Sequence, residues 1–159
     1  MRFLTLCSFL VPVFLAACTA SSYTRDGIAW DGGVEAQMIT NDTARISARG
    51  NGFTDQARVV DFVILKAAET AEAQGFTHFA MLSTTDASRV SAHTTPGTMQ
   101  TNVYGNSAYT TYNPGMTHAV VKPGADTIVR FCKQPPQACG DMLSALEVVK
   151  NLGPKYLKN

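Results

Sequence analysis

The chain has 159 residues, 45% of them hydrophobic and only 16% charged, with 13 Lys and Arg against 12 Asp and Glu. That length fits one domain with enough apolar content to close a core. The near balance of charge excludes a nucleic-acid binder, which needs a basic footprint to displace counterions, and excludes attachment to a membrane by charge alone.

Arg2 gives the chain a minimal basic start, and residues 3–15 form an apolar run broken by Pro12. The run is too short to cross a hydrocarbon core of ~30 Å as a stable helix. It ends in Leu15-Ala16-Ala17-Cys18, which resembles the lipobox cut by the bacterial lipoprotein signal peptidase. Small residues fit the peptidase beside the scissile bond, and leucine stands where the lipobox wants it. An ordinary secretory signal would instead want a small residue in the place of Leu15. The resemblance implies that residues 1–17 are removed, that the Cys18 thiol carries a diacylglyceryl thioether, and that its freed amine is acylated. One acyl chain anchors marginally, whereas two or three anchor stably. A non-aspartate after the cysteine, here Thr19, implies the outer membrane by similarity to enterobacterial sorting. Without Arg2 the mature chain carries 12 bases and 12 acids.

Residues 18–33 are small, polar and glycine-rich, which predicts a tether between lipid and domain. Trp30 is the exception; docking on the domain is favoured for it over a seat at the lipid interface. Residues 34–159 are expected to form a single periplasmic domain. Within it, Val34, Ala36 and Met38 alternate with polar residues, as do Ala44, Ile46 and Ala48, around the turn-forming Thr40-Asn41-Asp42. This predicts a hairpin.

Gly50-Asn51-Gly52-Phe53-Thr54-Asp55 reads as a turn and helix cap. A phosphate-cradling loop is disfavoured, because Asp55 would repel an anion at the helix start. The helix should run to about Gln74, with Ala57, Val60, Val63, Ile64, Ala67 and Ala71 on one face. Phe62 and Leu65 fall on the opposite, charged side. They predict either a second contact inside the fold, with the C-terminal segment, or a partner surface. Gly75 closes the helix, and residues 78–82 read as a strand.

Residues 83–118 differ in kind: thirteen of the 36 are Ser or Thr, and Asp86 is the one acid. No apolar period is sustained, which predicts a flexible insertion with a ragged hairpin around Pro96-Gly97. Tyr104, Tyr109 and Tyr112 within it are candidate contacts for a partner or a sugar ring. Residues 119–121 and 127–131 then read as strands joined by a turn. A second helix should start near Asp141, with Met142, Ala145, Leu146, Val149 and Leu152 facing one way and Ser144, Glu147, Lys150 and Asn151 the other, and stop at Gly153-Pro154. The order predicts an α+β fold: a small sandwich of mainly antiparallel sheet with two helices on one face.

Cys7 leaves with the leader and Cys18 is acylated, so Cys132 and Cys139 remain. An even pair in an oxidising compartment predicts a disulfide. His78, His93 and His118 are dispersed, and neither H-E-x-x-H nor G-x-S-x-G occurs. No catalytic, cofactor or metal residue is assigned on this basis.

The lipobox, Gly50-Asn51-Gly52-Phe53-Thr54, Ala67-Ala68-Glu69 and Gly75-Phe76-Thr77-His78-Phe79 together resemble a family of small uncharacterised proteobacterial lipoproteins. Its members follow a lipobox with a strand ending in G-N-x-x-T and a helix with an A-A-E core that closes at Gly plus aromatic. The resemblance covers residues 1–85 and departs from the pattern at Ala48, where the family tends to carry an aromatic. It implies localisation and fold and transfers no catalytic residue. The expected function is a non-catalytic envelope lipoprotein, held to the membrane through its lipid, that binds an envelope protein or glycan. The alternatives are an envelope hydrolase using a His/Asp/Ser set, or a metal or small-ligand sensor.

Overall fold

The computed structural model describes residues 19–24, 27–133 and 140–157. Its elements in chain order are β1 (Gly27–Ala29), β2 (Gly32–Met38), β3 (Thr43–Arg49), α1 (Gln56–Ala73), β4 (His78–Asp86), β5 (Arg89–Thr95), β6 (Thr98–Tyr104), β7 (Ser107–Asn113), β8 (Met116–Lys122), β9 (Gly124–Cys132), β10 (Leu143–Ser144) and α2 (Ala145–Tyr156). Six strands form one antiparallel sheet in the order β1-β2-β3-β9-β4-β10. The fold is α+β, a small sandwich with two helices and mostly antiparallel strands.

Period-two patterning decides the central strands. Ala44, Ile46 and Ala48 of β3 pair across the sheet with Val129, Thr127 and Ala125 of β9. All six are buried and face α1. Arg45, Ser47, Ile128 and Asp126 alternate with them toward the open face. The hairpin of β2 and β3 stands where the alternation placed it, with Ala36 opposite Ile46.

Asp55 caps α1, its carboxylate accepting from the Arg58 amide at 2.7 Å. The helix buries Val59, Phe62, Val63, Leu65, Ala67, Ala68 and Ala71, whereas Val60 is 37% exposed. The apolar stripe is therefore wider than the expected one and centred differently, because α1 meets two partners. One side rests on the sheet, and the other meets α2 and the N-terminal segment. Phe62 and Leu65 are fully buried and form no partner surface. Phe62 sits edge-on between two rings, 5.4 Å from Tyr23 and 5.2 Å from Tyr156. The Arg58 guanidinium lies over both Phe62 and Tyr156.

The second helix begins later and ends later than the sequence suggests, and Leu146, expected on its apolar face, is 71% exposed because the later start turns it away from α1. Residues 143–144 first pair with β4, and Ser144 then caps α2. Gly153 and Pro154 lie inside its last turn. Proline there forfeits one backbone hydrogen bond, but the turn is held from outside. Lys155 Nζ donates to Asp61 Oδ2 at 2.8 Å, the Tyr156 hydroxyl donates to the same oxygen at 2.6 Å, and the Leu157 amide bonds to the Gly153 carbonyl. Burial pushes the Asp61 carboxyl up, but the hydrogen bonds from Lys155 and Tyr156 outweigh it and hold the group below its ordinary 3.8.

Residues 83–118 are regular β structure and not a loose insertion. β4 stays in the six-stranded sheet, paired with β9 as far as Asp86↔Ala125 with a register shift between Met81 and Ser83, and β5 then pairs with β8 from Arg89↔Lys122 to Thr95↔Met116. β6 pairs with β7 from Thr98↔Asn113 to Tyr104↔Ser107. Pro96-Gly97 and Pro114-Gly115 face each other where the ladder breaks. They interrupt one continuous ribbon, roughly 50 Å long at a rise of ~3.3 Å per residue. The chain reverses at Gly105-Asn106, with Gly105 at φ +60° in the first position of a two-residue hairpin turn. Every residue of β5 to β8 is exposed. Cross-strand threonine pairs at 2.9 Å, Thr94 with Thr117 and Thr101 with Thr110, brace it.

Two outcomes follow. Phe62→Ala should destabilise the domain by about 3–5 kcal/mol, read from the midpoint of urea unfolding, because it removes a ring shared by three elements. Asp61 is held below its unfolded value, so its contribution is present at neutral pH and is lost as pH falls through the folded value, below 3.8. Asp61→Asn should lower stability at pH 7 and flatten the acid limb of the stability–pH curve measured by circular dichroism.

Candidate functional site

The G-N-G-F-T-D turn between β3 and α1 is a clamp on the first described residues. The Asn51 amide donates to Ser21 Oγ at 2.9 Å, and Asn51 Nδ2 donates to the Thr19 carbonyl at 2.9 Å. Thr54 Oγ1 accepts from the Ser21 amide at 3.0 Å and from the Asn51 amide at 3.2 Å, and donates to Asn51 Oδ1 at 2.9 Å. Asn51 Oδ1 also takes the Phe53 amide at 2.9 Å. Ser21 Oγ completes the set by donating to the Asp31 carbonyl. Both Ser21 and Thr54 are buried.

The described residues of the expected tether are thus part of the domain. Tyr23 reaches Glu69 Oε2 of α1 at 2.6 Å and packs on Phe62. Gly32, at φ +115°, makes room for this path: a Cβ there would drive into Ser21 Oγ and the Arg49 carbonyl.

Around Thr19 the surface is unusual. Trp30, in the tight turn between β1 and β2, is 97% exposed and does not dock on the domain as expected. Phe53, in the clamp turn, is 65% exposed. A cleft of about 560 Å³ lies between them, lined by Thr19, Ala20, Trp30, Phe53, Val120 and Lys122 among others. Val120, at the base of the ribbon, lies directly against Gly52. A second cleft of about 500 Å³ shares Trp30 and Lys122 and adds Glu35, Arg49 and Arg89.

Arg49 is committed within that second cleft. It grips Asp126 through both nitrogens at 2.9 and 3.0 Å and also reaches the Ala125 carbonyl. Arg49 holds the Asp126 carboxyl below its ordinary value, against the opposing effect of burial. Arg89 and Lys122 are directly opposed across the ribbon base, and neither is ion-paired among the described residues. Phe53, Arg89, Val120 and Lys122 were not singled out by sequence. Phe53 carried a signal, a large ring in a polar turn without an apolar partner at helical or strand spacing.

The ribbon separates the three tyrosines. Paired residues share a face, so Tyr104 and Tyr109 lie diagonally on one side with Asn102, while Tyr112 lies opposite Met99 on the other. All three are exposed. His93 and His118, far apart in sequence, are cross-strand partners. His78 lies in the six-stranded sheet with its Nδ1 2.8 Å from Thr77 Oγ1. Neither large cleft is lined by a histidine, and among the described residues no group of three or more His, Cys, Asp or Glu comes together. Cys132 ends β9; Cys18 and Cys139 lie outside the described residues. No described helix is long and apolar enough to cross a membrane.

No family model, curated protein or solved structure matches the chain.

The clamp makes a direct prediction. Thr54→Val removes three side-chain hydrogen bonds and leaves the Ser21 amide buried without an acceptor, a loss of about 1–3 kcal/mol. Hydrogen exchange should accelerate at residues 20–24 well before it does in β3 or α1.

Proposed function

We propose that the chain is a non-catalytic, lipid-anchored lipoprotein of a bacterial cell envelope that uses its β-ribbon to bind another envelope protein. On this reading Cys18 carries the lipid, Cys132 and Cys139 form a structural disulfide, and the domain faces the periplasm from the outer membrane. The leader and lipobox resemblance support the anchor.

The ribbon is the observation that carries the binding role. Residues 90–121 contain no Asp, Glu, Lys or Arg, and none of β5 to β8 contributes a buried side chain. Ordering a residue of backbone costs about 1–2 kcal/mol, and the ribbon repays none of it by adding to the core. It exposes apolar side chains on both faces, Met99, Val103 and Tyr112 on one and Tyr104 and Tyr109 on the other, and exposed apolar groups of this size mark contact sites. Its strand edges are open to a further strand. A glycan is the second reading, favoured by one observation: Tyr104 and Tyr109 are diagonal neighbours on one face and can present adjacent rings to a sugar.

Two tests apply. A photoreactive residue at Asn102, which is paired with Tyr109 and shares its face, should capture one defined envelope protein in intact cells. Tyr104→Ser with Tyr109→Ser should reduce that capture at least about tenfold, a hot-spot effect of more than 1.4 kcal/mol, without altering thermal stability. Failure to capture a defined protein overturns the protein reading, and capture of carbohydrate in its place establishes the glycan one. Cys18→Ser should abolish both the acyl mass and the membrane fractionation of the product. Unchanged fractionation overturns the anchor.

A further inference from the structure

We infer that the pole bearing Thr19, Trp30, Phe53, Val120, Arg89 and Lys122 is a seat for the bilayer surface, so that the domain lies directly on the phospholipid headgroups in one fixed orientation. The inference rests on the lipid-anchor reading for its occupant and on four features of the pole for its geometry.

The first is where the chain leaves the domain. Asn51 Nδ2 holds the Thr19 carbonyl at 2.9 Å, and Thr19 itself lines the cleft between Trp30 and Phe53. Cys18 is the preceding residue, and consecutive Cα atoms are about 3.8 Å apart. A lipid on Cys18 therefore brings the membrane to this face with almost no slack. The clamp holds in place residues that would otherwise have kept the domain at a distance.

The second is the exposed pair of aromatic side chains. A single tryptophan at 97% exposure and a phenylalanine at 65% flank the point of attachment. In water both rings stay hydrated; at a membrane interface Trp favours the headgroup level, and the apolar body of Phe can enter the acyl boundary. The third is Val120, which with Ala20 extends the apolar lining between them.

The fourth is charge. Arg89 and Lys122 are directly opposed in the ribbon's first register pair, an arrangement that is destabilising between two strands unless an anion sits beside it. Neither forms an ion pair among the described residues: Glu35 lines their cleft and Asp31 lines the adjoining one beside Lys122, and neither carboxylate is bonded to them. Both line the cleft that also contains Trp30. Phospholipid phosphates supply the missing anion at the depth where Trp and basic side chains settle together.

The chain's one tryptophan reports this seat without labelling. The full chain, purified with its native modification, is incorporated into phosphatidylethanolamine–phosphatidylglycerol vesicles carrying brominated acyl chains. Three measurements are made: the mass of the mature N-terminal peptide, flotation with vesicles, and Trp30 emission. The seat predicts acylation, flotation, a blue-shifted spectrum, and quenching that is stronger for bromines near the headgroup than for bromines at the chain ends.

Flotation with an unshifted, unquenched Trp30 overturns the seat and leaves the anchor standing. Absence of acyl mass together with absence of flotation overturns both. A Trp30→Phe, Leu146→Trp chain moves the reporter to an exposed position beside β10, at the opposite edge of the sheet from β1, and should float unquenched. Equal quenching there overturns the single orientation. Arg89→Ser with Lys122→Ser should shift Trp30 emission back toward the red in vesicles while flotation persists. An unchanged spectrum overturns the role of the two bases.

Discussion

Asn51 and Thr54 hold the structure's N-terminal segment in place, and much else follows from that small network. Six polar groups satisfy one another: the Thr19 carbonyl, the amide and hydroxyl of Ser21, the Asn51 side-chain amide, the Thr54 hydroxyl and the Asp31 carbonyl. Buried polar groups are tolerated only when paired, so the segment packs in one way or not at all. Because it packs, Tyr23 reaches Phe62, α1 gains a second partner besides the sheet, and the turn bearing Trp30 is placed beside Thr19. Gly32 is the steric condition for this arrangement, since any side chain there would occupy the place of Ser21.

The aromatic cluster shows the same economy from the other end of the chain. Phe62 is shared by Tyr23 and Tyr156, and Asp61, one residue earlier, receives both Lys155 and Tyr156. One turn of α1 thus joins the N-terminal segment, the C-terminal helix and the core. That explains how α2 continues through Gly153 and Pro154, where local propensity alone would end it.

Sequence and structure agree where burial is one-sided. The β2–β3 hairpin, β9 and the course of α1 could be read from alternation or helical period, because each element hides one face and shows the other. Three features could not. Phe62 and Leu65 fell on the charged side of a helix assumed to have a single buried stripe. Residues 19–24 carry almost no apolar signal, because hydrogen bonds rather than hydrophobic contacts fold them in. The ribbon has both faces in water, so its sequence contains no alternation to detect. What it did contain was composition, with threonine, valine and tyrosine favouring extended backbone, and a Tyr-Gly-Asn-Ser turn overshadowed by the nearby Pro96-Gly97. The site at the pole was only partly foreseeable. Trp30 stands out as the one tryptophan, set in a polar, glycine-rich stretch, but Arg89 and Lys122 meet only through a register that joins residues 33 positions apart in the chain.

The absence of fixed charge from residues 90–121 has a further physical consequence. Ions in solution modulate contacts between proteins chiefly by screening fixed charges, over a distance that shrinks from about 30 Å in dilute salt to about 3 Å at 1 M. An arm that carries no such charge offers that atmosphere nothing to act on. Any contact made through it, as proposed above, would hold steady through changes of salt concentration that weaken electrostatic complexes.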